Sequence, residues 1–141
     1  MTREEVVALF KRRHAAYARL DAETLAADNA EDGVLESPAA GGTVTGRDAI
    51  AKVYRGWFEG FPDVTVDWND LLIDGDRVVQ FATMSGTDTG GFMGLPPTGK
   101  RFGFPIVYMF TFKNGQIAYE RRVYDFTGML IQIGLLKAKP V

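Results

Sequence analysis

Large apolar residues alternate with small or polar ones from position 102 to position 112 of the chain. A period of two residues is typical of a β-strand that buries one face, so this segment is predicted to be a strand. The pair Asn114–Gly115 follows, and these residue types accept the positive φ angles of a type I′ turn. The residues predicted to share the buried face are Phe102, Phe104, Ile106, Tyr108, Phe110 and Phe112.

The strand expected after this turn, residues 117–126, carries an unusual number of charged side chains. Alternation places Glu120, Arg122 and Tyr124 on one face and Asp125 on the opposite face. Packing alone does not require so many charges in one strand, so we interpret this strand as a carrier of functional groups. The apolar residues that follow Asp125 predict a short helix or arm that covers one end of the sheet.

Helical spacing of apolar residues predicts three helices before the main strands. Thr2 and Glu5 match a capping box, which marks the start of a first helix that extends to about residue 20. A second short helix is expected over residues 21–29, and a third over residues 47–61, ended by Pro62. The strands in this part of the chain are expected near residues 34–35, 64–73 and 78–85. This order predicts an α+β domain with its helices on one face of a curved antiparallel sheet.

The length and charge of the chain exclude several classes of protein. A chain of 141 residues is long enough for one domain, residues 1–141, and too short for two ordinary ones. The formal net charge is -2 and no lysine or arginine cluster lies along one face, so no nucleic-acid partner is expected. No apolar segment approaches the roughly 20 residues of a membrane-spanning helix, and the first ten residues lack a signal-peptide pattern.

The cysteine and histidine content limits the chemistry further. The chain contains no cysteine, which excludes disulfides, cysteine metal sites and thiol catalysis, and favours a cytoplasmic protein. His14 is the only histidine, so it has no second histidine or cysteine with which to form a metal site. We interpret His14 as a surface or helix-edge residue, with a chemical role as the alternative. Neither a metal nor an organic cofactor is expected.

Three segments of the chain carry a family resemblance. They are residues 86–98 (GTDTGGFMGLPPT), residues 114–117 (NGQI) and residues 124–134 (YDFTGMLIQIG). Together they resemble the SnoaL-like polyketide cyclases, of the superfamily of nuclear transport factor 2, ketosteroid isomerase and limonene epoxide hydrolase. The resemblance is strongest over residues 77–134 and looser over residues 3–62. It implies a cone of three helices over a strongly bent antiparallel sheet, enclosing one apolar pocket, usually in a homodimer.

The resemblance also implies where functional residues lie, although this chain holds different residues at those positions. The acid/base aspartate of the cyclases corresponds to Arg122, the assisting histidine to Tyr108, and the asparagine before Pro38 to Ser37. Arginine has a pKa above about 12, so it cannot transfer protons near neutral pH. Asp125 corresponds to a second family aspartate, but alternation places it on the opposite face. The catalytic residues of ketosteroid isomerase and limonene epoxide hydrolase are not matched either.

The charged strand itself suggests a different mechanism. If Glu120 faces an apolar pocket beside Arg122, it stays ionised and serves as a general base. Arg122 and Tyr108 then donate hydrogen bonds to an enolate or alkoxide oxygen as its charge develops. The predicted reaction is proton abstraction next to a carbonyl, followed by ring closure or double-bond migration, on an apolar polyketide-like or terpenoid molecule. The pocket wall is predicted to include Tyr17, Ser37, Trp57, Phe58, Phe61, Phe104, Ile106 and Tyr124.

Several alternatives remain open from the sequence. Glu120 and Arg122 instead form a salt bridge at a dimer surface if the strand turns them outward. A second alternative is a protein that captures a small molecule in the same pocket without turnover. A third is a subunit scaffold whose interior is filled by its own aromatic rings. Asp88 lies in a loop expected at the pocket mouth, where a structural role is the alternative. Val107 on the outward strand face favours pairing of two copies, so we expect a homodimer.

Overall fold

The computed structural model describes all 141 residues of the chain, which form four α-helices and six β-strands. The helices are α1 (Arg3–Ala18), α2 (Ala22–Ala27), α3 (Arg47–Gly60) and α4 (Phe126–Gln132). The strands are β1 (Asn29–Ser37), β2 (Gly42–Thr45), β3 (Thr65–Asp74), β4 (Arg77–Thr87), β5 (Arg101–Lys113) and β6 (Gln116–Tyr124). No helix is both long enough and apolar enough to cross a membrane.

All six strands belong to one sheet, in the order β2-β1-β6-β5-β4-β3. Neighbouring strands are antiparallel except β1 and β6, which run parallel. This pair departs from the antiparallel sheet that the sequence predicts, because a parallel pair joins distant segments and leaves no hairpin signal. The sheet is also open, with β2 and β3 as its two edges, and it does not close into a barrel. The predicted α+β class, with helices over a curved sheet, is confirmed.

The hairpin of β5 and β6 supplies the core of the domain. Every second side chain of β5 from Phe102 to Phe112 is buried, as the alternation predicts. The turn between the strands has φ angles of 53° at Asn114 and 74° at Gly115, which are the positive values that a type I′ turn requires. The buried face of β5 therefore lies against the helices, and the side chains of β6 alternate in the same way.

Two helices, α1 and α3, cover this face, and each begins where the sequence predicts a helix start. The hydroxyl of Thr2 accepts a hydrogen bond from the Glu5 backbone N–H at 3.1 Å, and the Glu5 carboxylate accepts one from the Thr2 N–H at 3.2 Å. This capping box starts α1, whose inner side carries Arg13 and Tyr17. Helix α3 begins at Arg47 and carries Tyr54 on its buried side. Polar side chains from both helices thus point toward β5 and β6.

Candidate functional site

The carboxylate of Glu120 and the guanidinium of Arg122 both point inward from β6. Their positions two residues apart place them on the same face of the strand, and they are 0% and 5% exposed. The Arg122 Nε donates a hydrogen bond to Glu120 Oε2 at 2.9 Å. The Arg122 Nη2 also lies 2.8 Å from the same oxygen. This contact is an ion pair whose geometry is not that of a hydrogen bond. This nitrogen carries two N–H groups and contacts only one oxygen, so at least one N–H of a buried cation is left without an acceptor.

Tyr54 and Arg13 complete the polar cluster around Glu120. The Tyr54 hydroxyl lies 2.9 Å and 3.0 Å from the two carboxylate oxygens and donates to Glu120. The Arg13 Nη2 donates to the Tyr54 hydroxyl at 2.8 Å and lies 4.0 Å from Glu120 Oε1. Both oxygens of Glu120 are therefore occupied as acceptors. The cations of Arg122 and Arg13 balance the two anions Glu120 and Asp28, and Asp28 Oδ2 lies 3.0 Å from Arg13 Nη1.

The sequence did not identify Arg13 and Tyr54 as functional residues, because both lie at the apolar spacing of their helices. One feature of the sequence could have identified Arg13: it is a cation among the apolar residues of α1, and a buried cation needs an acceptor nearby. Arg13 has three acceptors. In addition to the Tyr54 hydroxyl, it donates to the Leu25 carbonyl and to Asp28 Oδ2, each at 3.0 Å. Burial opposes the charge of Arg122 and is the largest single effect, yet Glu120 and the surrounding tyrosines together outweigh it and raise the pKa of this guanidinium. Both arginines are therefore permanently charged.

Two tyrosine hydroxyls meet next to this cluster. Tyr108 is the cross-strand partner of Arg122, whose Cζ lies 5.7 Å from the Tyr108 ring centroid and 4.7 Å from the Tyr54 ring centroid. The Tyr17 hydroxyl donates to the Tyr108 hydroxyl at 3.4 Å, longer than the usual 2.7–2.8 Å and therefore weak. Burial raises the pKa of each phenol, so both are neutral donors at ordinary pH.

The space around these groups consists of two small cavities. The first, which we call the Arg122 cavity, is bounded by Arg122, Tyr54, Trp57 and Met84 among others. The second, the His14 cavity, is bounded by His14, Trp68, Gln80 and Tyr108 among others, and Tyr17 borders both. Each has a volume of about 10 Å³, which is the room for one water molecule. Neither lining contains an aspartate or a glutamate, so Glu120 stands behind the cavity wall.

Five of the eight predicted wall residues border the Arg122 cavity: Tyr17, Trp57, Phe58, Ile106 and Tyr124. The other three, Ser37, Phe61 and Phe104, are buried but border neither cavity. The Ser37 hydroxyl lies 3.5 Å from that of Tyr124, and Phe104 stacks on the Tyr124 ring at 4.8 Å. Phe61 packs against Phe102 at 4.8 Å. These three residues support the wall from behind.

Asp88 and Asp125 have structural contacts in the folded chain. Asp88 is fully buried and accepts hydrogen bonds from the Gly91 N–H, the Thr98 N–H and the Thr98 hydroxyl. It therefore holds the loop between β4 and β5 in shape. Asp125 caps α4, since its carboxylate accepts from the Gly128 N–H at 2.9 Å. His14, by contrast, is half-buried and lies against the Trp68 ring at the edge of its cavity.

Comparisons with known proteins agree with this architecture. The sequence matches the model of the SnoaL-like polyketide cyclases over residues 8–133, and no curated protein matches it significantly. It is 27% identical to AclR, a hydroxylase candidate from Streptomyces galilaeus, with a TM-score of 0.81 over 99% of this chain and 91% of AclR. It is 28% identical to IdmH, a candidate polyketide cyclase from Streptomyces antibioticus, with a TM-score of 0.72 over 91% of this chain and 97% of IdmH. A Catenulispora acidiphila protein with a ketosteroid isomerase-like fold is 24% identical, with a TM-score of 0.73 over 95% of each chain.

Proposed function

The chain belongs to the SnoaL-like polyketide cyclase family, and we propose that it is a cofactor-independent cyclase or isomerase. Its substrate is an apolar, polyketide-like or terpenoid molecule that carries at least one carbonyl group. The reaction removes a proton next to that carbonyl and then closes a ring or moves a double bond. One observation carries the proposal: Arg122, ion-paired with Glu120, presents a buried N–H without an acceptor beside an otherwise apolar cavity.

Buried donors without partners are rare, and each needs an explanation; beside a cavity, a ligand atom that accepts the hydrogen bond is one such explanation. The Tyr108 hydroxyl is a second such donor, because it accepts from Tyr17 while no group accepts its own proton. A carbonyl oxygen placed between Arg122 and Tyr108 receives hydrogen bonds from both. These bonds strengthen as the oxygen becomes an enolate, since charge-assisted donors in a dry site stabilise developing negative charge.

The geometry favours an anchoring role for Glu120 over the role of general base that its sequence position suggests. Both of its oxygens already accept hydrogen bonds, and it borders neither cavity. In this proposal Glu120 fixes the guanidinium of Arg122 in place and balances its charge. The aromatic rings of Trp57 and Tyr17 move aside when an organic substrate enters, because the space between them now fits only a water molecule.

The test compares two adjacent arginines of β6 that point in opposite directions. Arg122→Met removes the inward guanidinium, whereas Arg121→Met removes an exposed one that pairs with Glu36. The measured quantities are binding of 2-naphthol by fluorescence and exchange of the α-hydrogens of 1-tetralone for deuterium by NMR. We expect Arg122→Met to lower the exchange rate by about 100-fold, the usual effect of losing one oxyanion donor, and Arg121→Met to leave it unchanged. Equal rates in the two variants would contradict the proposal.

The second candidate function is capture of a small molecule without turnover. It is favoured by the absence of any carboxylate from the two cavity linings. Wild-type protein that binds 2-naphthol through Arg122 but does not accelerate exchange would establish this function. A protein that neither binds 2-naphthol nor accelerates the exchange of 1-tetralone would instead support a scaffold role, which agrees with an interior filled by aromatic rings.

A homodimer belongs to the same proposal. Phe81, Val107 and Val123 are cross-strand neighbours on β4, β5 and β6, and they form an apolar row on the outer face of the sheet. Phe81 is 40% and Val123 46% exposed, so this row offers contiguous apolar surface that a second copy of the chain would cover. We expect light scattering to give twice the monomer mass for wild type. Val123→Lys should then give monomers, and a wild-type monomer would refute the pairing.

A further inference from the structure

The amide of Gln80 fixes the tautomer of His14. Gln80 is 1% exposed, and its Nε2 donates to the backbone carbonyls of Asp70 at 3.2 Å and Phe81 at 2.7 Å. Carbonyl oxygens only accept, so these contacts orient the amide with its Oε1 turned toward the histidine. The His14 Nε2 lies 3.2 Å from this Oε1. Because an amide oxygen cannot donate, Nε2 carries the imidazole proton and Nδ1 carries the lone pair.

The position of the ring is fixed as well. The imidazole stacks on the Trp68 indole with centroids 4.1 Å apart and planes 9° from parallel. Phe10 contacts it edge-on at 6.3 Å. No protein group hydrogen-bonds to Nδ1, so the basic atom of the ring is available. Stacking and one hydrogen bond already hold this half-buried ring in one position. The ring is therefore pre-organised, because it loses little further side-chain freedom when a substrate binds.

The linings of the two cavities contain few other groups that accept a proton. Arg13 and Arg122 remain protonated at any ordinary pH. The phenols of Tyr17, Tyr54, Tyr108 and Tyr124 are neutral, because burial raises the pKa of each. No carboxylate is present in either lining. Among the groups that border the interior space, His14 alone is a base near neutral pH.

We propose that His14 is the proton acceptor of the site, and this inference rests on the function proposed above. The substrate spans the two cavities and replaces the weak Tyr17–Tyr108 hydrogen bond. The C–H bond next to its carbonyl breaks, the proton forms an N–H bond with His14 Nδ1, and the electron pair moves into the enolate. The negative charge then lies on the oxygen held by Arg122 and Tyr108. The imidazolium returns the same proton to another carbon, so the isomerisation needs no co-reactant.

The charges that face His14 favour its neutral, basic form. Burial lowers its pKa, the cation of Arg13 lowers it further, and the hydrogen bond to Gln80 opposes both. The phenols of Tyr17 and Tyr108 are uncharged, and the exposed carboxylates of β3 do not border the cavity. The imidazole is therefore unprotonated at pH 7, as a general base must be.

The closing experiment measures 1-tetralone exchange and 2-naphthol binding for wild type, His14→Gln and Arg122→Met. Glutamine keeps a side chain that reaches Gln80 but has no basic nitrogen. We expect His14→Gln to lower the exchange rate by about 100-fold or more, the usual contribution of a general base, with 2-naphthol affinity within a few-fold of wild type. If His14→Gln exchanges like wild type while Arg122→Met does not, the inference is overturned and the proposed function stands. Absence of exchange in wild type overturns both.

A second measurement does not depend on turnover. Because His14 is the only histidine, its imidazole ¹⁵N signals need no assignment by mutation. At pH 8 we expect Nε2 to show the shift of a protonated nitrogen and Nδ1 that of an unprotonated one. The exchange rate should then fall with the same apparent pKa as the one at which Nδ1 becomes protonated. The opposite tautomer, or a rate independent of that titration, would refute the assignment.

Discussion

Replacement of Glu120 by glutamine tests the buried cluster most directly. Glutamine keeps the shape of the side chain but removes its charge and turns one acceptor into a donor. The new amide must then face a donor from either Tyr54 or Arg122. Arg122 loses its ion-pair partner, whereas Arg13 loses a more distant anion and keeps Asp28 at 3.0 Å. Because Glu120 is fully buried, water does not replace the lost charge. Breaking a buried pair on one side costs about 3–5 kcal/mol, so we expect a loss of that size in the free energy of unfolding.

The assay is urea unfolding followed by fluorescence, with equal slopes in both proteins as the condition for comparison. Glu36→Gln is the matched control, since Glu36 pairs with Arg121 at 2.6 Å on the surface. Exposed pairs contribute about 0–1 kcal/mol, so this control should change stability little. If Glu120→Gln and Glu36→Gln were equally stable, the reasoning about the buried cluster would be refuted.

Three further predictions concern other parts of the chain. Asp88→Ala should lower the free energy of unfolding by about 1–3 kcal/mol in the urea assay, because it leaves the half-buried Thr98 donors unpaired. Asp125→Ala, at an exposed helix cap, should cost only about 1 kcal/mol. Gly90→Ala should destabilise the loop, because a Cβ at this position overlaps the Glu59 carbonyl oxygen. Thermal unfolding should show a lower midpoint, and an unchanged midpoint would contradict the close packing. The lowered pKa of His14 means that the unfolded chain binds its proton more readily, so stability should fall as pH drops from about 6.5 toward the folded-state pKa. His14→Gln should remove that part of the pH dependence in urea midpoints measured between pH 7.5 and 5.

Much of the central hairpin was predictable from local pattern. The alternation of β5 and the Asn114–Gly115 turn depend on neighbouring residues only, so the sequence indicates them without knowledge of the rest of the fold. The parallel pairing of β1 with β6 was not predictable in this way. It joins segments 85 to 88 positions apart, and the short β2 beside it has only four residues. The pattern of a single segment does not record which distant strand becomes its neighbour.

The candidate site was likewise predictable from the sequence only in part. Strand periodicity was enough to place Glu120 and Arg122 on one face, because successive side chains of a strand point to opposite sides. The partners of Glu120 come from α1 and α3, and their meeting depends on how each helix lies across the sheet. The same packing decides how much space the aromatic rings leave. As a result of this packing, Glu120 lies behind the wall of the Arg122 cavity and His14 lies at the edge of the His14 cavity.

The sequence by itself determined the directions in which side chains leave the backbone, because those follow from the period of each element. Only the tertiary structure decided which atoms come within 3 Å of one another and what volume remains between them. Hydrogen bonds and close packing act over distances shorter than one side chain, so a small change in helix placement alters both. The shared face of Glu120 and Arg122 was therefore predictable from the amino-acid order, whereas the inward direction of that face, the unpaired N–H of Arg122 and the lone pair of His14 were not.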